Sequence, residues 1–526
     1  MMKKVISLIL TGAMVLSLAA CGSSGASQAE GSGDAAATTD EVAEGERVLK
    51  VGMDVEPTSI DPNAGADGQG GMFVAYSVFG TLWMLTADGE TNMILAESYE
   101  YNEDKTEFTV HLREGIKFAD GNPITADDVI YSLQNAAAGT GAMRLAAVDI
   151  ENAYAEDETT VVLPLLMDSP TLIEDMNIMM IMEKEWCEQS EENLGLNVMA
   201  SGAYSIESWE TGMGITLVKN PEYYDAENVY YDEIDVSFVS SEDTRLLSFE
   251  SGDYDIICLS SSNAVDEIAG GARADASVVT VPIQSVSGLT MNVIDFDEFK
   301  DQNVRQAIGY AIDVPTLVST IMGSAYQEAT SLLPSGNYAY LYTGNYEYDV
   351  DKAKELLKEA GYDENNRFAF TLTYSDAGMN GQLAEAIQAM LAEANIDVTV
   401  ETQDGATYMN NMVANTIMCG FSTYMGSYEP AGIINARRKN IPANMSKLGD
   451  GELEDLLEEC CTSVAEESER IELWHSLQEQ SYEFASFIPI YESNQNYAVS
   501  DAINTENINS SVQADGYLFA TKLSAN

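Results

Sequence analysis

Apolar and polar residues alternate over 47–53 and again over 105–113, and this period of two predicts a half-buried strand in each place. In the second, His111 falls on the polar phase, opposite Val110 and Leu112, which predicts a surface histidine. Glycines crowd 65–71 and predict a turn, with an apolar helical stretch over 72–82. Asp120, Gly121, Asn122 and Pro123 form a turn signal, beyond which Thr125 and Asp128 have the spacing of a helix cap. Val129, Ile130 and Leu133 then recur at helical intervals. Residues 202–206 and 215–218 read as the two strands of a hairpin, and 220–224 as loop.

The clearest architecture lies at 367–403. Residues 368–374 read as a strand, 381–394 as a helix and 396–402 as a second alternating strand. A strand-helix-strand unit of this length predicts a right-handed parallel crossover, and hence an α/β lobe. Just upstream, Asp349 is placed to cap a helix over 351–360 that stops at Gly361. Near the end, 471–484 reads as a helix carrying Trp474, and 487–491 as a strand.

These periodic segments begin only near residue 47. Upstream, Lys3 and Lys4 precede a short apolar run ending in Leu18, Ala19, Ala20 and Cys21, the pattern of a secretory signal over 1–20. The run resembles the bacterial lipobox, which implies that Cys21 carries a diacylglycerol and becomes the first mature residue. An ordinary small-residue cleavage site beside an incidental cysteine is the alternative. Residues 22–45 are Gly, Ser, Ala, Thr, Asp and Glu with almost nothing able to pack, so 21–46 is expected to be a flexible tether. Its average reach by the square-root rule is about 25–30 Å.

Composition narrows the function. The chain has 526 residues, 45% hydrophobic and 9% aromatic, which are globular values and too many residues for one core; two or three domains are expected. Acidic residues number 86 against 24 basic, and the net charge of −62 argues against nucleic acid as a partner. It implies a heavily solvated exterior, with some preference for cationic solutes as the alternative. No other apolar run is long enough to cross a bilayer. Cys187, Cys258, Cys419, Cys460 and Cys461 are odd in number and widely spread, so free thiols are expected. With only His111 and His475, a zinc site is not expected, and no cofactor or catalytic residue is indicated. Nucleophile-elbow, phosphate-loop and His-Glu-x-x-His motifs are missing from the sequence. Paired carboxylates of a glycosidase type remain open on motif alone.

Several runs together carry a family resemblance. They are Leu95-Ala96-Glu97-Ser98-Tyr99, Phe108-Thr109-Val110-His111-Leu112-Arg113-Glu114-Gly115-Ile116-Lys117-Phe118 and Asp120-Gly121-Asn122-Pro123-Ile124-Thr125-Ala126-Asp127-Asp128-Val129. Further on come Asn220-Pro221-Glu222-Tyr223-Tyr224, the stretch 303–313 around Arg305 and Gln306, and 348–361 ending in Ala360-Gly361. In this order they resemble the family 5 solute-binding proteins of bacterial ABC importers, the oligopeptide-, dipeptide- and nickel-binding lipoproteins. The resemblance implies an α/β, two-lobed periplasmic-binding-protein-like fold of the cluster C type, with an extra subdomain inserted in lobe one. Carried onto this chain, lobe one takes 47–92, 202–287 and 488–526, the subdomain 93–201, and lobe two 288–487. It further implies a monomer that binds a short peptide or small molecule between the lobes, partners an ABC permease and ATPase, and is held at the membrane by its lipid anchor outside the cytoplasm.

In the peptide-binding branch, an extended ligand adds its backbone to protein strands on both sides of the cleft. The resemblance places those strands at Gly70, Gly71, Met72 and Phe73 in lobe one, and at Thr423, Tyr424 and Met425 in lobe two. A flexible loop for the glycines and a core role for Met72 are the competing reading. Where many members carry an aspartate for the ligand amine, this chain has Ser427, followed by Tyr428 and Glu429. A buried ammonium without a carboxylate is costly, so either Glu429 or another carboxylate substitutes, or the ligand has no free amine. Arg437 is a candidate for a ligand carboxylate, against the plainer reading of a solvated basic cluster. An oligosaccharide receptor of the same fold, or a peptide-sensing surface lipoprotein not coupled to import, are the alternatives.

Overall fold

A computed structural model describes residues 47–62, 68–86, 89–139, 141–142, 144–189, 198–425, 428–434, 451–463, 465–508, 512 and 517–526. Cys21 with its tether, Ser427 and Arg437 lie outside the described residues.

The strands predicted from alternation form, and most join one sheet. Its path runs Ile396–Gln403, Phe368–Ser375, Cys419–Met425, Ala276–Met291, Phe487–Ser500, Ile256–Leu259, Val48–Met53, Glu233–Phe238, Gly214–Lys219 and Tyr204–Glu210. Tyr326–Glu328 pairs with Phe487–Ser500 off this path. Two groups are parallel, Val48–Met53 with both its neighbours and Phe368–Ser375 with both of its own. The predicted crossover is present, with helix Asn380–Glu393 between its two strands.

Ala276–Met291 and Phe487–Ser500 run through the middle of the sheet. Ala276 to Pro282 pair with Ser500 to Asn494 beside Ile256–Leu259; Ser285 to Met291 pair with Cys419–Met425. Between Pro282 and Val286 the register breaks, since three residues there face one on the partner strand. Each half of the sheet has its own core. One gathers around Leu49, Val51, Phe73 and Tyr204, the other around Leu289, Ile308, Leu372 and Ile387. A separate four-stranded sheet, in the order Ala96–Tyr101, Glu107–Leu112, Thr160–Pro164 and Tyr154–Ala155, covers a third core that contains Trp83, Phe108, Leu133 and Leu172.

Local signals account for the element ends. The Asp128 carboxylate accepts from the Thr125 amide at 2.9 Å and from its hydroxyl at 2.7 Å at the head of Ala126–Ala138. Asp349 accepts the Lys352 amide at 2.8 Å and caps Val350–Glu359, and Gly361 ends that segment at φ +93°. The late helix is longer than predicted, Glu467–Phe484, with Trp474 fully buried. The five described cysteines are buried free thiols.

One expectation fails. Glycines 68, 70 and 71 do not end a turn but open the helix Gly68–Val78. Gly70 is where the helix meets the sheet: a Cβ there would lie 2.6 Å from the Val55 carbonyl oxygen and 2.8 Å from the Phe238 ring. The glycines serve close packing, so a composition that reads as a turn is helical in the fold.

Candidate binding cleft

The strand Cys419–Met425 leaves the sheet path on one side. Its Cys419 and Gly420 pair with Leu372 and Thr373, and among the described residues no strand continues along that edge. On the other side it pairs in full with Ala276–Met291. The Asn292 amide donates to the Met418 carbonyl at 3.0 Å, which sets the alternation. Residues 418, 420, 422 and 424 therefore aim their main-chain groups at the central strand, and Phe421, Thr423 and Met425 aim theirs at the open edge. The Tyr408 hydroxyl fills the first of these positions, donating to the Phe421 carbonyl at 2.7 Å. Thr423 and Met425 remain exposed, Met425 by 54%. The Thr423 and Ser287 hydroxyls lie 2.8 Å apart, and the Tyr424 ring stands edge-on to Phe487 at 5.3 Å, against a further apolar cluster that contains Leu457 and Trp474.

The matching strand expected at Gly70–Phe73 is not there. These residues are helical and Phe73 is fully buried in the first core, so this stretch forms no strand. Met72 alone is partly exposed. The nearby Gln69 amide donates to the Gln495 side chain at 3.0 Å, which ties the helix start to a central strand.

Tyr428 and Glu429 are brought to the junction of the two lobes. Glu429 is 6% exposed; its Oε2 accepts from the Tyr338 hydroxyl at 2.8 Å and pairs with the Arg470 guanidinium. Burial and the neighbouring carboxylate hold the Tyr338 phenol well above its usual range. Glu429, one of the carboxylates expected as a possible partner of a ligand amine, is thus paired through Oε2 with a side chain 41 residues away. The Tyr428 carbonyl accepts from Asn337 at 2.8 Å, and the Tyr428 ring lies 5.3 Å from that of Tyr338.

Sequence reasoning missed Glu174, Gln284, Asn337, Arg470 and Glu492, all polar groups at this junction. Glu492, on the central strand beside the register break, accepts from the Ser335 amide at 2.9 Å, the Ser335 hydroxyl at 2.7 Å and Gln327 at 2.6 Å. Burial pushes its carboxyl up. The one legible signal was an acidic residue on the buried side of a short element, as at Glu174 in Leu172–Asn177. Among the described residues no cluster of metal-ligating side chains forms, and no helix is long and apolar enough to cross a membrane.

The profile described as bacterial extracellular solute-binding proteins, family 5 Middle, matches residues 90–434, well over half of the chain. The chain belongs to this family. The family 5 assignment agrees with the curated relatives. The chain is 25% identical over 524 residues to the dipeptide-binding protein DppE of Bacillus subtilis, covering 92% of this chain and 93% of that protein. It is 24% identical over 510 residues to the oligopeptide-binding protein OppA of the same organism, covering 89% and 90%. Among solved structures, the ABC transporter substrate-binding protein CtaP of Listeria monocytogenes superposes with a TM-score of 0.80 at 21% identity, over 92% of this chain and all of that one. The fold is the two-lobed α/β fold of family 5 binding proteins, with its inserted subdomain. Family 5 members are extracytoplasmic solute-binding proteins, and the relatives named here are described as binding proteins.

Proposed function

We propose that this chain is the lipid-anchored receptor of an ABC importer, which captures short peptides between its lobes and delivers them to a permease and ATPase. The observation that carries the reading is the open edge at Thr423 and Met425. A strand edge recognises the repeating amide pattern of an extended peptide and leaves side-chain identity nearly free. The names of OppA and DppE support the same cargo class. The register break between Pro282 and Val286 supports a hinge there, with lobe one taking 47–92, 202–287 and 488–526, and lobe two 288–487. A flexible tether ending at a lipidated Cys21 would hold the receptor at the membrane without fixing its orientation.

Since Glu429 is paired with Arg470, recognition of a free amine is not assigned to it. Main-chain pairing is the proposed source of affinity. Native mass spectrometry of cargo carried through purification, followed by calorimetry with a recovered peptide, tests this. Mixed peptides are expected, and N-methylation of alternate amides should weaken binding at least tenfold in one phase and little in the other, as a one-sided ladder requires. A single glycan as cargo, or equal tolerance of methylation in both phases, would overturn it.

A further inference from the structure

The lobes touch at a place that the strand edge does not use. The helix Leu172–Asn177 belongs to the inserted subdomain, and Thr86, Gly89 and Glu90 lie at the end of the hairpin of Trp83–Leu85 and Thr91–Met93. The two are braced as one lip: the Trp83 indole donates to the Ile173 carbonyl at 2.8 Å, and Asn177 accepts the Leu85 amide. This lip presents two features to the second lobe. Glu174, 7% exposed, accepts the main-chain amide of Glu429. Gly89, at φ +84°, lies so close to the Tyr428 ring that a Cβ there would sit 2.4 Å from it.

The facing lip is braced as firmly. Asn337 holds the Tyr428 carbonyl and the Gln284 side chain, while Tyr338 and Arg470 hold the Glu429 carboxylate. Tyr428 and Glu429 follow the end of the open-edge strand, Met425, by three and four positions.

We propose that Gly89 and Glu174 on one lobe and Tyr428 and Glu429 on the other form an interlobe latch, which holds the receptor closed through protein contacts alone. An amide bond to a carboxylate is stronger than one between neutral groups, and it is made here in a buried setting. The glycine contact adds shape: only a residue without a side chain lets the aromatic ring seat. A latch of this kind raises the closed fraction before cargo arrives and slows escape afterwards, without selecting among cargoes. The inference rests on the two-lobed fold and on hinge closure, not on the cargo being a peptide.

Small-angle X-ray scattering on the mature protein stripped of cargo tests it. Glu174→Ala removes the acceptor, and Gly89→Val places a side chain against the Tyr428 ring. Both variants should give a larger radius of gyration than the wild type while keeping its far-ultraviolet circular dichroism. Release of the carried cargo should be about tenfold faster in both, the effect of one lost charge-assisted bond or its steric equivalent. Glu174→Ala carries the test if the glycine variant does not fold. Unchanged scattering in Glu174→Ala would overturn the latch, and so would faster release with unchanged scattering, because Glu174 would then act on cargo directly. Neither result depends on whether the cargo is a peptide.

Discussion

Glu429 illustrates how far a single residue can be read. Its charge and its nearness to Ser427 are visible in the sequence, but Arg470, which neutralises it, is 41 residues away and faces it only after folding. Removing one member of a buried ion pair leaves the other charge uncompensated. Arg470→Ala should therefore cost about 3–5 kcal/mol, read as a lower denaturant midpoint by the fluorescence of the nearby buried Trp474. A cost under about 1 kcal/mol would mean that the pair behaves as a surface bridge. Arg305 shows the same lesson from the other side. It sits in one of the runs that carry the family resemblance, yet it donates to the carbonyls of Phe299, Lys300 and Phe484 and stacks on the Phe484 ring at 4.1 Å. Through Arg305, that run secures helix ends to one another.

Elements were legible where a pattern is local. Alternation at 105–113, the cap at Thr125 and the crossover at 367–403 all depend on residues within one turn or one strand of each other. The helix Gly68–Val78 was misread at its start because glycine marks a turn by conformation and a close contact by size, and the sequence does not say which is in use. The helix Leu172–Asn177 carries a pH signature. Burial pushes the Asp175 carboxyl up to about 6, outweighing the Thr171 hydroxyl and the Arg144 charge. A folded-state value above the unfolded one near 3.8 means that the native state binds the proton more tightly across that window. Stability should thus fall as pH rises from about 4 to 6, by on the order of 2–3 kcal/mol, and then level off. Thermal melts of Asp175→Asn should lack this slope; an identical slope in the variant would place the titrating group elsewhere.

At the scale of the whole molecule, location and architecture have different origins. The proposed signal and lipidation site at Cys21 would act by sequence alone, as a short segment read before the chain folds. Replacing Cys21 with Ser should move the protein from the membrane fraction to the soluble fraction without changing its melting temperature; retention at the membrane would sink the lipid anchor. The sequence by itself determined the strands, caps and crossover, the family through runs of turn and packing residues, and a strongly acidic composition. All of these depend on neighbours along the chain or on totals over it. Only the tertiary structure decided that Gly70 packs against Val55, that Glu429 belongs to Arg470, that the Thr423 and Met425 edge is open, and that Glu174 reaches the other lobe. The three contacts among these join positions from about 15 to 255 residues apart, where no periodicity survives and only the folded chain sets which groups meet.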